Sequence, residues 1–152
     1  MIKIIKGNLF NSQCDIITNA VNCVGIMGAG IAKAFADKYP KMYDEYKELC
    51  KNKKYKLGMP IIHCVDNRLI CNFPTMFYPG SLANREAIQN GLFYLKGLLD
   101  GLNQKDNSKH ISIAFCALGC GIGHFSFEDL KNMIENIFQD YEGLVEIYEP
   151  IR

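Results

Sequence analysis

Apolar runs of strand length alternate along this chain with segments of helical periodicity, and that order restricts the fold more than any other feature. Residues 2–5 and the β-branched run 15–21 have the make-up of strands. Residues 31–39 carry helical spacing up to Pro40, which stops them; an amphipathic helix follows over 41–51, with Met42, Tyr46 and Leu49 on one side. The runs 60–65 and 68–73 flank Asp66-Asn67, a turn pair that predicts a hairpin. From about Asn84, the stripe Ile88, Leu92, Leu95, Leu99 and Leu102 predicts a long helix packed on a sheet. Residues 103–109 read as a polar loop, and the continuous apolar run 111–115 as a central buried strand. Ser126 and Asp129 open a further helix as a capping box. The alternating run 144–148 reads as an edge strand. This order predicts an α/β protein: a three-layer α/β/α sandwich with a central mixed β-sheet, as a single domain over 1–152.

Composition narrows the function classes. A chain of 152 residues can bury roughly 70% of its unfolded surface, so one core suffices without staples. The formal net charge is +1, which gives no electrostatic reason to expect nucleic acid or a membrane surface as the main partner. A phosphorylated ligand stays open, because backbone amides bind phosphate without net charge. The seven cysteines form no C-x-x-C pair and stand beside no histidine cluster. Reduced thiols are therefore expected, with no metal site and a cytoplasmic location. The opening MIKIIKGNLF turns polar too early for a signal peptide. No apolar run approaches the roughly 20 residues of a membrane helix.

Two segments carry the chemistry. In NAVNCVGIMGAGIAKAF, residues 19–35, a strand leads to Asn22, then to a loop with Gly25, Gly28 and Gly30, then to a helix. ALGCGIGHF, residues 117–125, repeats the pattern of strand, glycine loop and helix. Glycines admit close backbone approach, and a helix start offers unpaired amides and a positive dipole end. Together they suit a diphosphate, and two such loops at one sheet edge would hold it from both sides. GAGIAKAF lacks the third glycine of a dinucleotide fingerprint, and no GK[ST] follows to make a P-loop.

GNLF at 7–10, DIITNAVNCVGIMGAGIAKAFADKYPKMYDEYKELC at 15–50 and LGCGIGHFSFEDL at 118–130 resemble the macrodomain family. The segment YPGSLANREAIQNGL at 78–92 is similar to a form seen in phage-encoded "Appr-1″-p processing" macrodomains. The resemblance implies a cleft for ADP-ribose or an ADP-ribosylated substrate, no cofactor, and a monomer. By matching positions, Asn8 and Leu9 would lie near the adenine, with the Asn8 amide oxygen taking the place of an aspartate common among relatives. Gly28, Ala29, Gly30 and Ile31 would face one side of the diphosphate and distal ribose. Gly119, Cys120, Gly121, Ile122 and Gly123 would face the other. Asn22 would point toward the distal ribose hydroxyls, and Thr75 joins the ligand-facing set.

The resemblance also bears on catalysis. Relatives that remove ADP-ribose from glutamate or DNA carry a lysine directly after a threonine at a strand end; here Met76 follows Thr75. The protein-glutamate type also has an aspartate in the second loop, where this chain, like the phage-type relatives, has Gly123. A lysine nucleophile is therefore ruled out at that position. Asn22, orienting a ribose hydroxyl or a water, and His124, as general acid or base, are the catalytic candidates. The stronger reading of His124 is a solvent-exposed loop residue. His63, inside an apolar strand, is expected to be structural and His110 exposed. Cys120 sits at a helix start but is expected to serve as packing. Tyr78 and Phe125 either stack on the ligand or close the core. These readings predict a hydrolase acting on the terminal bond of an ADP-ribose derivative, such as ADP-ribose 1″-phosphate or an O-acyl ester. The alternatives are a non-catalytic reader and, disfavoured by charge, a nucleic-acid-binding domain.

Overall fold

The structure is a computed structural model and describes residues 1–150. In chain order the elements are β1 (Ile2–Ile5), a short 3-10 turn (Leu9–Asn11), β2 (Ile16–Val21), α1 (Gly30–Lys38), α2 (Pro40–Lys51), β3 (Ile61–Val65), β4 (Arg68–Pro74), α3 (Arg85–Lys105), β5 (Ile113–Phe115), α4 (Phe127–Ile137) and β6 (Val145–Tyr148). The strands form one six-stranded sheet in the order β1-β6-β5-β2-β4-β3. All neighbours pair parallel except β3, which returns antiparallel on β4 through the Asp66-Asn67 turn. The mixed sheet and its layers match the expected sandwich.

Side-chain alternation assigns the two faces. Along β4, Asn72 Nδ2 meets Met42 Sδ of α2, and the next residue, Phe73, lies against Gly91 of α3. Helices α1 and α2 thus cover one face and α3 with α4 the other, as right-handed crossovers require. Ile17, Ile70, Ile113, Ala114, Phe115, Val145 and Ile147 are fully buried between these layers. Pro40 ends one helix and begins the next: it is the first residue of α2, where a missing N–H does no harm.

Two expectations need correction. The run 144–148 is not an edge strand, because β6 lies between β1 and β5. Its alternation came from Glu146, whose carboxylate is received by Ser12 Oγ at 2.6 Å and Cys14 Sγ at 3.3 Å rather than by open water. Nor does the loop start at residue 103, because α3 continues to Lys105. Asn103 turns inward, donating to Tyr141 Oη at 3.1 Å and accepting from the Ile111 amide at 3.0 Å. The helix stripe therefore closes on Asn103, and Leu102, expected inside, is exposed.

The cysteines are all free thiols. Among the described residues, no helix is long and apolar enough to cross a membrane, and no cluster of three or more metal-ligating side chains occurs.

Candidate functional site

Because β1, β6, β5, β2 and β4 run parallel, the segments that leave their carboxyl ends share one edge of the sheet. In spatial order they are the turn with Asn8, the loop 117–126 after β5, the loop 22–29 after β2, and the segment 75–84 after β4. Hydrogen bonds join the last three directly. The Cys23 amide donates to Phe77 O at 3.0 Å, and the Ala83 amide to Gly123 O at 2.9 Å. The segment 75–84 therefore bridges the two glycine loops, and both belong to one site.

The first loop is built around Asn22. Its Oδ1 accepts from the Val24 and Ile26 amides at 3.0 and 3.4 Å, and its Nδ2 donates to Ile26 O at 2.7 Å. The Tyr46 hydroxyl of α2 stands 2.8 Å from Asn22 O and 2.9 Å from Asn22 Oδ1. Asn22 is 6% exposed, so its amide acts first as the brace of the loop. Gly30 then enters α1 with φ +57, a conformation that favours glycine. No side chain caps α1, and the first turn holds no acidic residue. Among the described residues, the amides of Gly30, Ile31 and Ala32 have no hydrogen-bond acceptor.

The second loop folds on itself. Cys120 N donates to Ala117 O at 3.0 Å, His124 N to Gly121 O at 3.0 Å and Phe125 N to Gly119 O at 2.8 Å. Among the described residues, the amides of Gly121, Ile122 and Gly123 donate to no protein group. At Gly121 a Cβ would meet nothing within 4 Å, so this backbone is open on its outer side. At Gly123 a Cβ would lie 2.7 Å from Gly119 O and 2.9 Å from Ala83 Cβ. A side chain at 123, an aspartate included, has no room in this packing. Ser126 caps α4 by accepting from Asp129 N at 3.2 Å, the first half of the expected capping box, while the Asp129 carboxylate pairs with Arg85 at 3.3 Å.

The remaining candidates fall as follows. Leu9 is buried, and Asn8 is exposed, its Oδ1 accepting from the Phe10 amide at 3.0 Å. Gly28, Ala29, Gly30 and Ile122 are exposed, and Ile31 is half-buried. Thr75 is fully enclosed, and its hydroxyl has no partner among the described residues. His124 is exposed at φ +57. Burial pushes the Cys120 thiol up to about 11, so it packs rather than reacts. His63 is buried between Tyr55 Oη and Glu45 Oε1, 2.7 Å from each, and serves structure. His110, expected to be exposed, is half-buried beside Glu142 at 3.2 Å. Tyr78 is exposed and does not close the core, while Phe125 is half-buried under the Arg85 guanidinium. Sequence reasoning missed two supports. Tyr46 was legible only as a core position, and Ala83, small enough to sit against Gly119 and Gly123, left no mark in the pattern.

A groove of about 630 Å³ lies between α3 and α4. Its charges pair with one another, Arg85 with Asp129 and Lys96 with Asp140, and no set of unpaired amides lines it.

Two turns with unpaired amides thus stand on adjacent strand ends of an α/β domain, an arrangement suited to a phosphate group. The chain belongs to the macro domain family, whose model matches residues 18–134. The DNA ADP-ribosyl glycohydrolase of Thermus aquaticus is 29% identical over 156 residues, taking in 99% of this chain and 42% of that protein. The chain thus spans less than half of that relative's length. An ADP-ribose 1″-phosphate phosphatase of Aspergillus oryzae is 44% identical over 55 residues, 36% of this chain and 27% of that protein. The macrodomain of Mycobacterium tuberculosis DarG superposes with a TM-score of 0.90 at 30% identity, with 99% of each chain covered.

Proposed function

We propose that the cleft binds ADP-ribose and that the protein hydrolyses the terminal bond of an ADP-ribose derivative. The observation that carries this reading is the pair of open amide sets, residues 30–32 and 121–123, on the ends of neighbouring strands β2 and β5. A diphosphate between them accepts from both without any fixed cation. The adenine lies toward Asn8 and Leu9 at the β1 side, and the distal ribose toward Asn22 and the segment 75–84. Asn22 acts as a positioning residue, since its amide sets the loop that would hold the ribose and a water. His124 is the candidate acid or base. Met76 offers neither nucleophile nor proton, so the bond breaks by attack of water and not of an amine. The relatives support two forms of substrate: ADP-ribose on DNA, and ADP-ribose 1″-phosphate.

A second reading, a binding module without turnover, is favoured by one observation. The segments 22–32, 75–84 and 117–127 contain no Asp, Glu, Lys or Arg. Calorimetry with ADP-ribose, beside product analysis on ADP-ribose 1″-phosphate, an ADP-ribosylated protein and an ADP-ribosylated oligonucleotide, separates the two. Binding with turnover of any one supports the hydrolase. Binding without turnover leaves the module, and failure to bind ADP-ribose rejects both.

A further inference from the structure

Helix α3 turns outward a face that no other element covers among the described residues. Its inner stripe, Ile88, Leu92, Leu95 and Leu99, is fully buried. On the opposite side Phe93 and Tyr94 are 55 and 50% exposed, and Gly97 and Gly101 follow them on the next two turns. Glycine inside a helix is destabilising relative to alanine, so each one calls for a reason. Gly91, on the same helix, has one: a Cβ there would lie 2.3 Å from the Phe73 ring. Gly97 and Gly101 have none within the chain, because a Cβ at either would meet nothing within 4 Å. Two bare turns beside two exposed rings place a notch, and a side chain of a size to fill it, on one helix surface.

The ends of this face carry opposite charges. Glu86 lies in the first turn and Lys105 in the last, and both are exposed. The ion pairs of α3 are Arg85 with Asp129 and Lys96 with Asp100 and Asp140; among the described residues Glu86 and Lys105 enter none. Their places also suit the helix dipole, which accounts for the charges but not for the glycines. In a two-fold contact the same surface meets itself, and between antiparallel helices the first half of one lies against the second half of the other. One register satisfies every feature. With Glu86 set opposite the partner's Lys105, Tyr94 falls opposite the partner's Gly97, and Asn90 opposite the partner's Gly101. Each Tyr94 ring then enters a bare turn and each carboxylate meets an ammonium, twice over by symmetry.

We propose that the outer face of α3 is the contact of a two-fold dimer, in which a second copy of this chain lies antiparallel along residues 86–105. This sets aside the monomer that the family resemblance implies, and it does not depend on what the cleft binds. Each α3 begins beside its own cleft, directly after the segment 75–84. The two clefts therefore open at opposite ends of the pair, and neither is covered.

Sedimentation equilibrium from micromolar to millimolar chain tests this. The parent is expected to approach twice the chain mass, and Tyr94→Ala to raise the dissociation constant of the dimer about tenfold. Gly97→Arg is expected to sediment as a monomer with unchanged ADP-ribose affinity. Arginine is a better helix former than glycine, so circular dichroism should show the helix intact. Glu86→Lys and Lys105→Glu are each expected to weaken pairing, because each sets like charges face to face. An equimolar mixture of these two variants is expected to pair again as a heterodimer, a recovery that the helix dipole alone does not produce. A monomer mass at millimolar concentration would leave the face to a further domain or another protein, and it overturns the proposal. So does a dimer that survives Gly97→Arg, or a mixture that pairs no better than its two components.

Discussion

The two glycine loops reach the same edge of the sheet by different means. The first is tied by hydrogen bonds to one buried amide, Asn22, which the Tyr46 hydroxyl secures from behind. The second has no such brace and is wedged instead. Gly119, at φ +73, and Gly123 press on Ala83 of the bridging segment, where Cβ atoms would come within 2.7 and 2.9 Å of it. Only Gly121, between them, is open. One sequence signal, a cluster of glycines after a strand, thus covers two physical roles: room for a ligand and room for a neighbouring chain.

Substitutions separate these roles. The largest effect is expected for Gly121→Glu, which sets a carboxylate where the diphosphate lies: ADP-ribose affinity falls at least hundredfold, about 2.7 kcal/mol, with the melting temperature unchanged. Unchanged affinity in the folded variant would reject this placement of the loop. Gly123→Ala is expected to act on stability, by about 2.5 kcal/mol, because the added methyl must displace backbone. On a domain of this size that lowers the melting temperature by roughly 5–10 °C. Asn22→Ala should cost about 2 kcal/mol, since the Val24 and Ile26 amides and the Tyr46 hydroxyl lose a buried acceptor, and should weaken ADP-ribose binding as the first loop loosens. Tyr46→Phe tests the outer half of the brace and should cost about 1 kcal/mol in denaturant unfolding. If Asn22→Ala proved no worse than Tyr46→Phe, the contrast between a tied loop and a wedged one would fail.

Much of this architecture is legible in the sequence because local pattern and burial agree. The β-branched run of β2, the stripe of α3 and the Ser126 cap each report contacts within a few residues. What escaped depends on partners far along the chain. Glu146 made β6 look half-solvated, yet its acceptor atoms are met by Ser12 and Cys14, more than a hundred residues earlier. Asn103 looked like the start of a loop because its partner, Tyr141, lies 38 residues on. At the site, the glycine clusters and Asn22 announced themselves, but which glycines meet a ligand and which meet Ala83 is a matter of tertiary packing.

Tyr46 gives the first loop an anchor on the far side from any ligand. Helix α2 contributes nothing to the open amides, yet its Tyr46 hydroxyl stands against both the backbone carbonyl and the Oδ1 of Asn22. Occupancy of the cleft should therefore be felt at a distance. Amide hydrogens of residues 40–51 should exchange more slowly once ADP-ribose is bound, and Tyr46→Phe should erase that protection while the slowing at residues 121–125 persists.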